Sequence, residues 1–420
     1  MLKNSPFPAI IISIFIMASF GIISLGHIVS NKPLLFLNYR NSSGAVWSDY
    51  ADFFQASERI LSGQNPYEVT INRYDKSDSL YVTTPIPALA NIVFVPLGFD
   101  KARLLLYFLI PLSLAFGYWL ITSTFHFEEV DKNLVLMTGL IGLLFGYPFY
   151  FLLQRQNIDG WVFLFLCLGL YWLSKPQKEV FSGLFFSLAM VFKIYPILMF
   201  LPIILNRKWR LFFWVGAWLV LWGAVSFFWF PELRSALTMR AQSIFRFDEN
   251  GSLVATISLL SILFDAFGVS NANLMIRYSP LVAALIYSLS LSLLIFADYK
   301  LGKENKYELY QYTLYLPFMI ALPQIVFHYS FIICLILVPT MCRLWRISED
   351  GGQRSAIFMM SMGIALTQWQ AIATYNLTNN ILSHVIPGLG LLLIVIGIVI
   401  FKNVTMRSLT SQVVASSPIK

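Results

Sequence analysis

Two carboxylates lie in an acidic, aromatic segment that follows the first apolar stretch of this chain: Asp49 and Asp52, within WSDYADFFQASERILSGQNPY. Apolar residues recur at helical spacing from Tyr50 to Leu61, and Gly63 follows, so we predict a short amphipathic helix. Such a helix is expected to lie flat on a membrane with its apolar face towards lipid. A carboxylate at the membrane–water boundary has the chemistry of a general base, which takes a proton from a reacting hydroxyl group.

Each of the two carboxylates also has an ordinary explanation. An Asp at the start of a helix accepts hydrogen bonds from free backbone N–H groups and suits the helix dipole, so Asp49 is equally a capping residue or a base. Asp52 lies one turn further on, where a solvated face is the usual environment. The local sequence leaves the choice for Asp49 open.

Two more candidates lie inside apolar stretches. Lys193 stands in VFKIYP, where an ammonium group is costly unless it reaches the membrane surface or faces a cavity that holds an anion. His328, followed by Tyr329, ends a stretch broken by Pro323; it is either a packing residue or a donor to a phosphate or hydroxyl group. Polar pairs between apolar segments, ordinarily loop residues or helix caps, complete the candidates: Gln156 with Asn157, and Asn250 with Ser252.

The composition indicates a membrane protein. Of 420 residues, 58% are hydrophobic and 12% are charged, about half of the roughly 25% charge usual in soluble domains. Long apolar runs recur along the chain, so we predict an all-α polytopic transmembrane protein with about 11 to 13 membrane segments. The run from Phe7 to Ile28 is read as a retained first span that enters from the cytoplasm, because Lys3 precedes it.

The formal charge of +8 does not indicate nucleic-acid binding. The basic residues form short clusters between apolar segments, which is the pattern of cytoplasmic loops. Clusters flank the segment 180–205 on both sides, at Lys175 and at Arg207 among others. We therefore favour a hairpin of two half-helices that meet near Lys193 and Pro196, because it keeps both clusters on one side; a single span remains the alternative.

We predict one membrane domain over residues 1–401. It contains an external loop over residues 29–84, and a polar, basic, disordered tail follows over residues 402–420. The three cysteines lie in or beside apolar stretches and indicate packing. The four histidines are far apart, so neither a protein-bound metal nor another cofactor is expected.

Taken in order, the candidate residues resemble glycosyltransferase family 87, whose members are membrane enzymes of the GT-C superfamily. The resemblance covers about residues 45–335, by order and spacing along the chain. It rests on Asp49-Tyr50 to Pro66-Tyr67, Pro85 and Pro87, Pro96-Leu97, Gln156-Asn157, Gly183 to Lys193 and Pro196 with Arg207-Lys208-Trp209, Asn250 to Leu253, and Pro323 to His328-Tyr329.

The sequence departs from the family pattern at three places. Ile86 separates two prolines that are usually adjacent, Arg155 stands where Gly is common, and His328 is single where the family often has two histidines. These differences concern the identity of the donor and the acceptor, not the fold.

The resemblance implies a hexosyltransferase that moves a sugar, typically mannose, from a polyprenyl-phosphate donor to a lipid or glycan acceptor. The reaction would invert the anomeric carbon at the external face of the cell membrane. Asp49 would be the base with Asp52 in reserve, Lys193 would contact the lipid phosphate, and His328 would orient phosphate or acceptor. Side chains expected to line the sugar site are Gln156, Asn157, Asn250, Ser252 and Tyr329.

A multi-pass transporter or flippase of a lipid-linked glycan is the alternative from another class. It predicts repeat symmetry with helix breaks in matching positions of the two halves. The breaks near Pro148 and Pro196 have no clear partners in the second half, and the acidic first loop has no role in that interpretation.

Overall fold

A computed structural model describes most of the chain. Asn250, Ser252 and the predicted segment 253–268 lie outside the described residues, and the description of His328 and Tyr329 covers the backbone only. The described residues are 6–29, 49–67, 70–74, 78–79, 84–230, 272–301, 308–321, 328–348, 350–368 and 381–416.

The described residues form helices joined by short turns, so the prediction of an all-α fold is confirmed. A two-residue antiparallel ladder is the exception, with β1 (Thr70–Ile71) paired to β2 (Asp78–Ser79). The α-helices are α1 Phe7–Val29, α2 Asp49–Leu61, α3 Pro85–Asn91, α4 Phe99–Thr124, α5 Glu129–Phe145, α6 Tyr147–Arg155, α7 Asp159–Leu173, α8 Glu179–Phe192, α9 Phe200–Leu205, α10 Trp209–Trp229, α11 Ala272–Leu301, α12 Glu308–Leu314, α13 Leu316–Ala321, α14 Leu337–Ile347, α15 Gly351–Thr367 and α16 Ile381–Ser416. Three 3₁₀ helices add Ile92–Leu97, Tyr195–Met199 and His328–Ile336.

The apolar helices fall into two groups, one long enough to cross a membrane and one too short. Among the described residues, four stretches are long and apolar enough to cross a membrane, and α5 with α6 adds a fifth if that pair, bent by 54°, is one span. Five further apolar helices have only 10–17 residues. Each predicted segment inside the described part contains helix, but breaks shorten several of them below a full span of about 20 residues. The four long stretches are Phe99–Thr124, Trp209–Phe228, Ser330–Ile347 and Gly388–Met406.

The chain turns back after α8 and turns again before α10, so that α8 and α10 run in the same direction. Trp218 Nε1 donates to the carbonyl of Val180, and Trp222 Nε1, one turn later, donates to Ser187 further along α8, at 3.2 and 3.1 Å. Contacts that advance together along both helices mean that the two run in the same direction. The predicted hairpin, broken at Lys193, is therefore confirmed, and the basic residues before α8 and before α10 lie at the same end.

A glycine allows the close approach of α8 and α10. A Cβ at Gly183 would lie 2.8 Å from Cβ of Trp214 and 3.0 Å from its backbone, whereas nothing lies within 4 Å of a Cβ at Gly216. We expect Gly183→Ala to lower the free energy of unfolding by about 1–3 kcal/mol through overpacking. The measurement is thermal unfolding in detergent.

Gly216→Ala is the matched control for that substitution, because it adds the same methyl group to the same helix pair. It should be neutral or stabilising by up to about 1 kcal/mol, since alanine favours a helix over glycine. Equal stability of the two variants would contradict the close packing of α8 on α10.

The amphipathic helix is present as α2, but its apolar face does not rest on lipid as predicted. Phe54 is fully buried and packs on the ring of Phe99 at 5.5 Å between centroids. Ser57 Oγ donates to the carbonyl of Ala88 in α3 at 2.8 Å. An apolar stripe fits a protein surface as well as a lipid surface, and here α3 and α4 cover it.

The C-terminal tail corrects a second prediction. Residues 402–416 continue the last helix, α16, instead of forming a disordered tail. Lys402 is buried, and its Nζ lies 2.6 Å from the carboxylate of Asp298, which is also buried. Gln311 and Tyr315 donate to the same carboxylate at 3.3 and 3.0 Å. The ion pair and the added hydrogen bonds to Asp298 account for the burial of Lys402 in this helix.

Candidate functional site

A small polar cluster joins α2, which carries Asp49, to the segment around the short β-ladder. Asn72 Nδ2, next to β1, donates to Asp52 at 3.0 Å, and the backbone N–H of Arg73 donates to Gln55 Oε1 at 3.1 Å. Tyr74 donates to Glu58 at 2.7 Å. Asp52 thus binds the short β-ladder segment to α2, a structural contact that leaves Asp49 the stronger candidate for chemistry.

Protonation keeps the Tyr74 contact intact at neutral pH. Burial, together with the hydrogen bond to Glu58, raises the pKa of the Tyr74 hydroxyl to about 12. The phenol therefore stays a donor to the carboxylate over the physiological range.

Both carboxylate oxygens of Asp49 face the turn between α6 and α7. Oδ1 forms an ion pair with Arg155, whose side chain is 5% exposed, and Oδ2 accepts a hydrogen bond from Asn157 Nδ2. A capping Asp would instead accept from backbone N–H groups of its own first turn, and no such bond is present among the described residues. The carboxylate of Asp49 is therefore oriented by side chains of the α6–α7 turn and does not cap its own helix.

The turn that receives Asp49 is shaped by Gln156. This residue adopts a left-handed conformation at φ 51° and ends α6, and its Nε2 donates to the carbonyl of Arg103 at 2.9 Å. Asn157 Oδ1 then accepts from the backbone N–H of Asp159 at 3.0 Å. Gln156 is 2% exposed, so its amide holds the turn against α4, while Asn157 is the member of the predicted pair that contacts Asp49.

Lys193 lies where α8 breaks. It follows the last helical residue in an extended conformation, with φ −143° and ψ 142°, and it is partly exposed. Thr84 Oγ1 donates to the carbonyl of Val191 at 2.5 Å, which brings the residue before α3 to the same break. The segment 49–84 therefore carries the predicted base near its start and contacts the break that carries the predicted phosphate ligand at its end.

Asp159 is the residue that the sequence analysis missed. It is fully buried, and its carboxylate accepts from Tyr195 at 2.5 Å and from Ser330 Oγ at 2.9 Å. Its signal in the sequence was a charged residue at the start of an apolar segment, where ionisable groups are costly. Its two partners come from the 3₁₀ helices that follow Lys193 and begin at His328.

The two ends of the packed helices α7, α8 and α10 carry different polar residues. The rings of α7 and α8 pair in antiparallel order, Phe165 with Phe192 and Trp172 with Phe181, each at 5.1 Å between centroids. Asp159, at the start of α7, therefore lies at the end of α8 that carries Lys193. The basic clusters before α8 and before α10 lie at the opposite end, about 20 Å away along α8.

No metal-binding cluster forms in the part of the chain that the structure describes. Three or more His, Cys, Asp or Glu side chains do not gather there, and each of the three cysteines is buried as a free thiol. The cysteines are packing residues, as predicted. The described polar groups at the Lys193 end include Asp49, Arg155, Asn157 and Lys193, together with the buried Asp159.

The fold and the site define a polytopic membrane protein with a carboxylate held at one end of its helices. The family model for glycosyltransferase family 87 matches residues 83–323. The chain belongs to glycosyltransferase family 87, and it is a glycosyltransferase that works with a sugar donor, an acceptor and a bilayer. Comparison with curated proteins and with solved structures found no match.

Proposed function

We propose that this glycosyltransferase takes a sugar, most simply mannose, from polyprenyl phosphate and transfers it with inversion to a lipid or glycan acceptor. The observation that carries the proposal is the carboxylate of Asp49, held by Arg155 and Asn157 at the end of the helices where α8 breaks at Lys193. A base and a cation at the same end of the helices suit a hydroxyl acceptor and a lipid phosphate leaving group.

The proposed reaction is a single displacement. Asp49 takes the proton of the acceptor hydroxyl group while the oxygen of that hydroxyl group bonds to the anomeric carbon. The bond from that carbon to the phosphate oxygen breaks, its electron pair stays on the phosphate, and polyprenyl phosphate leaves as an anion. Lys193 stabilises the charge that builds on the leaving oxygen, and His328 orients phosphate or acceptor.

The distribution of charge supports the external face as the side of the reaction. Lys175, Lys178 and Arg207 lie at one end of α8, and cytoplasmic loops are enriched in such residues. Asp49 and Lys193 belong to the other end. The proposed site therefore opens away from the side that the basic residues mark as cytoplasmic, in the cell membrane.

Transfer of labelled sugar tests the proposal directly. Membranes that contain the wild-type protein are supplied with polyprenyl-phosphate mannose, polyprenyl-phosphate glucose or a nucleotide sugar, and lipid and glycan fractions are counted. We expect incorporation from a polyprenyl-phosphate donor and none from the nucleotide sugar. Incorporation from the nucleotide sugar alone would overturn the donor class, and movement of an intact lipid-linked glycan without transfer would favour the flippase.

Removal of Lys193 tests the phosphate assignment. We expect Lys193→Ala to lower kcat/KM for the polyprenyl-phosphate donor by about 10- to 100-fold, because a hydrogen bond to a charged group is lost. The KM for the acceptor should stay unchanged. Lys208→Ala, at the opposite end of α8, is the matched control and should retain wild-type kinetics. A rise in the acceptor KM with unchanged donor kinetics would assign Lys193 to the other substrate.

A further inference from the structure

Asp159 is a buried carboxylate that the proposed mechanism does not use. It is the first residue of α7 and is 0% exposed. Oδ1 accepts from the hydroxyl of Tyr195, 36 residues further along the chain, and Oδ2 accepts from Ser330, 171 residues further along. One carboxylate therefore ties together three segments that are distant in sequence.

The positions of the two hydroxyl groups are informative. Tyr195 lies two residues after Lys193, and Ser330 lies two residues after His328. The backbone N–H of Asp159 donates to Asn157, which in turn donates to Asp49. Asp159 is thus connected by hydrogen bonds to the turn that holds the proposed base and to both segments that carry the proposed phosphate-binding residues.

Helix stabilisation alone does not account for Asp159. An acidic residue in the first turn of a helix is favourable because of the helix dipole, but that benefit needs no burial. Burial of a carboxylate is costly unless hydrogen bonds replace the lost water. Here two side-chain hydroxyl groups from separate segments, Tyr195 and Ser330, supply those bonds, so the contacts made by the carboxylate explain its buried position.

We infer that Asp159 is a positioning residue of the transfer site, which sets the spacing between the Asp49 turn, the Lys193 segment and the His328 segment without contacting substrate. The inference rests on the proposed function. An in-line displacement needs the base and the phosphate-binding groups on opposite sides of the anomeric carbon. A displacement of about 1 Å at such a site costs on the order of a hundredfold in rate.

The first test removes one hydroxyl group at a time. Tyr195→Phe and Ser330→Ala should each lower kcat about tenfold, because each loses a hydrogen bond to a charged group. The KM for the donor should change far less, since the substrate-binding groups remain and only their alignment is lost. Asp159→Asn should retain more activity than Asp159→Ala, because the amide oxygen still accepts one hydrogen bond.

Tyr315→Phe is the matched control. Tyr315 donates to another buried carboxylate, that of Asp298, at 3.0 Å in the C-terminal half of the chain. This variant should lose as much thermal stability as Tyr195→Phe and retain wild-type kcat. If Tyr195→Phe and Ser330→Ala also retain wild-type kcat, Asp159 has only a structural role and the inference is overturned.

A second measurement needs no substrate and separates this inference from the proposed function. The Tm changes of Tyr195→Phe and Ser330→Ala should be non-additive, and the coupling should vanish when Asp159→Ala is also present. Additive Tm changes would overturn the bridge whether or not a donor is found. A wild-type protein that shows this coupling but transfers no sugar would instead refute the proposed function.

Discussion

Asp49→Asn should reduce sugar transfer by about 10²- to 10⁴-fold, the usual contribution of a general base. The amide keeps the size of the side chain, and its oxygen can still accept from Asn157, but it cannot take a proton from the acceptor. We expect the loss in kcat, with the donor KM nearly unchanged. The measurement is single-turnover transfer of labelled sugar in membranes with equal amounts of wild-type and variant protein.

Asp52→Asn is the control for this result, because both carboxylates lie in the first turn of α2 and Asp52 contacts Asn72 instead of the α6–α7 turn. It should keep activity within about tenfold of wild type, as expected for loss of one hydrogen bond. A large loss in Asp52→Asn with full activity in Asp49→Asn would exchange the two roles.

Arg155→Ala has the largest expected effect on stability at this end of the protein. The guanidinium group is buried against the carboxylate of Asp49. Its removal leaves a carboxylate without its charged partner, so the free energy of unfolding should fall by about 3 kcal/mol. Thermal unfolding in detergent measures the change, and transfer should also fall because the carboxylate loses one of the two groups that orient it.

The exposed ion pair between Arg73 and Glu58 provides the matched control. Arg73 has a side chain that is 62% exposed, and Arg73→Ala should therefore cost less than about 1 kcal/mol. Equal destabilisation by the two substitutions would mean that Asp49 and Arg155 are solvated in the native protein. Arg155→Lys should lie between wild type and Arg155→Ala, since it keeps the charge but not the fork of donors.

Composition and hydropathy were sufficient to predict the helical class, and Pro196 with the flanking basic clusters was sufficient to predict the break at Lys193. The order of motifs along the chain singled out Asp49 as the candidate base. It was not sufficient to predict how Asp49 is held. Arg155 and Asn157 are more than a hundred residues away, and local periodicity carries no information on which distant side chains meet. Arg155 was noted only as a departure from the family pattern.

The two corrected predictions have related causes. The apolar face of α2 has the same spacing whether lipid or protein covers it, so the pattern did not distinguish a surface helix from one packed on Phe99. The polar composition after residue 401 indicated disorder. The partner of Lys402 is Asp298 in α11, and the local sequence does not reveal that contact. Asp159 was overlooked for the same reason: its meaning depends on Tyr195 and Ser330, which no local pattern connects to it.

The ion pair between Asp298 and Lys402 has a consequence for the order in which the protein is assembled. Synthesis proceeds from the N-terminus, so the carboxylate of Asp298 is made 104 residues before the ammonium group that neutralises it. Until α16 arrives, α11 carries a charge that is costly in lipid. The ion pair of Asp298 is therefore complete only once α16 has been synthesised, so we expect α11 and α16 to reach their final packing together.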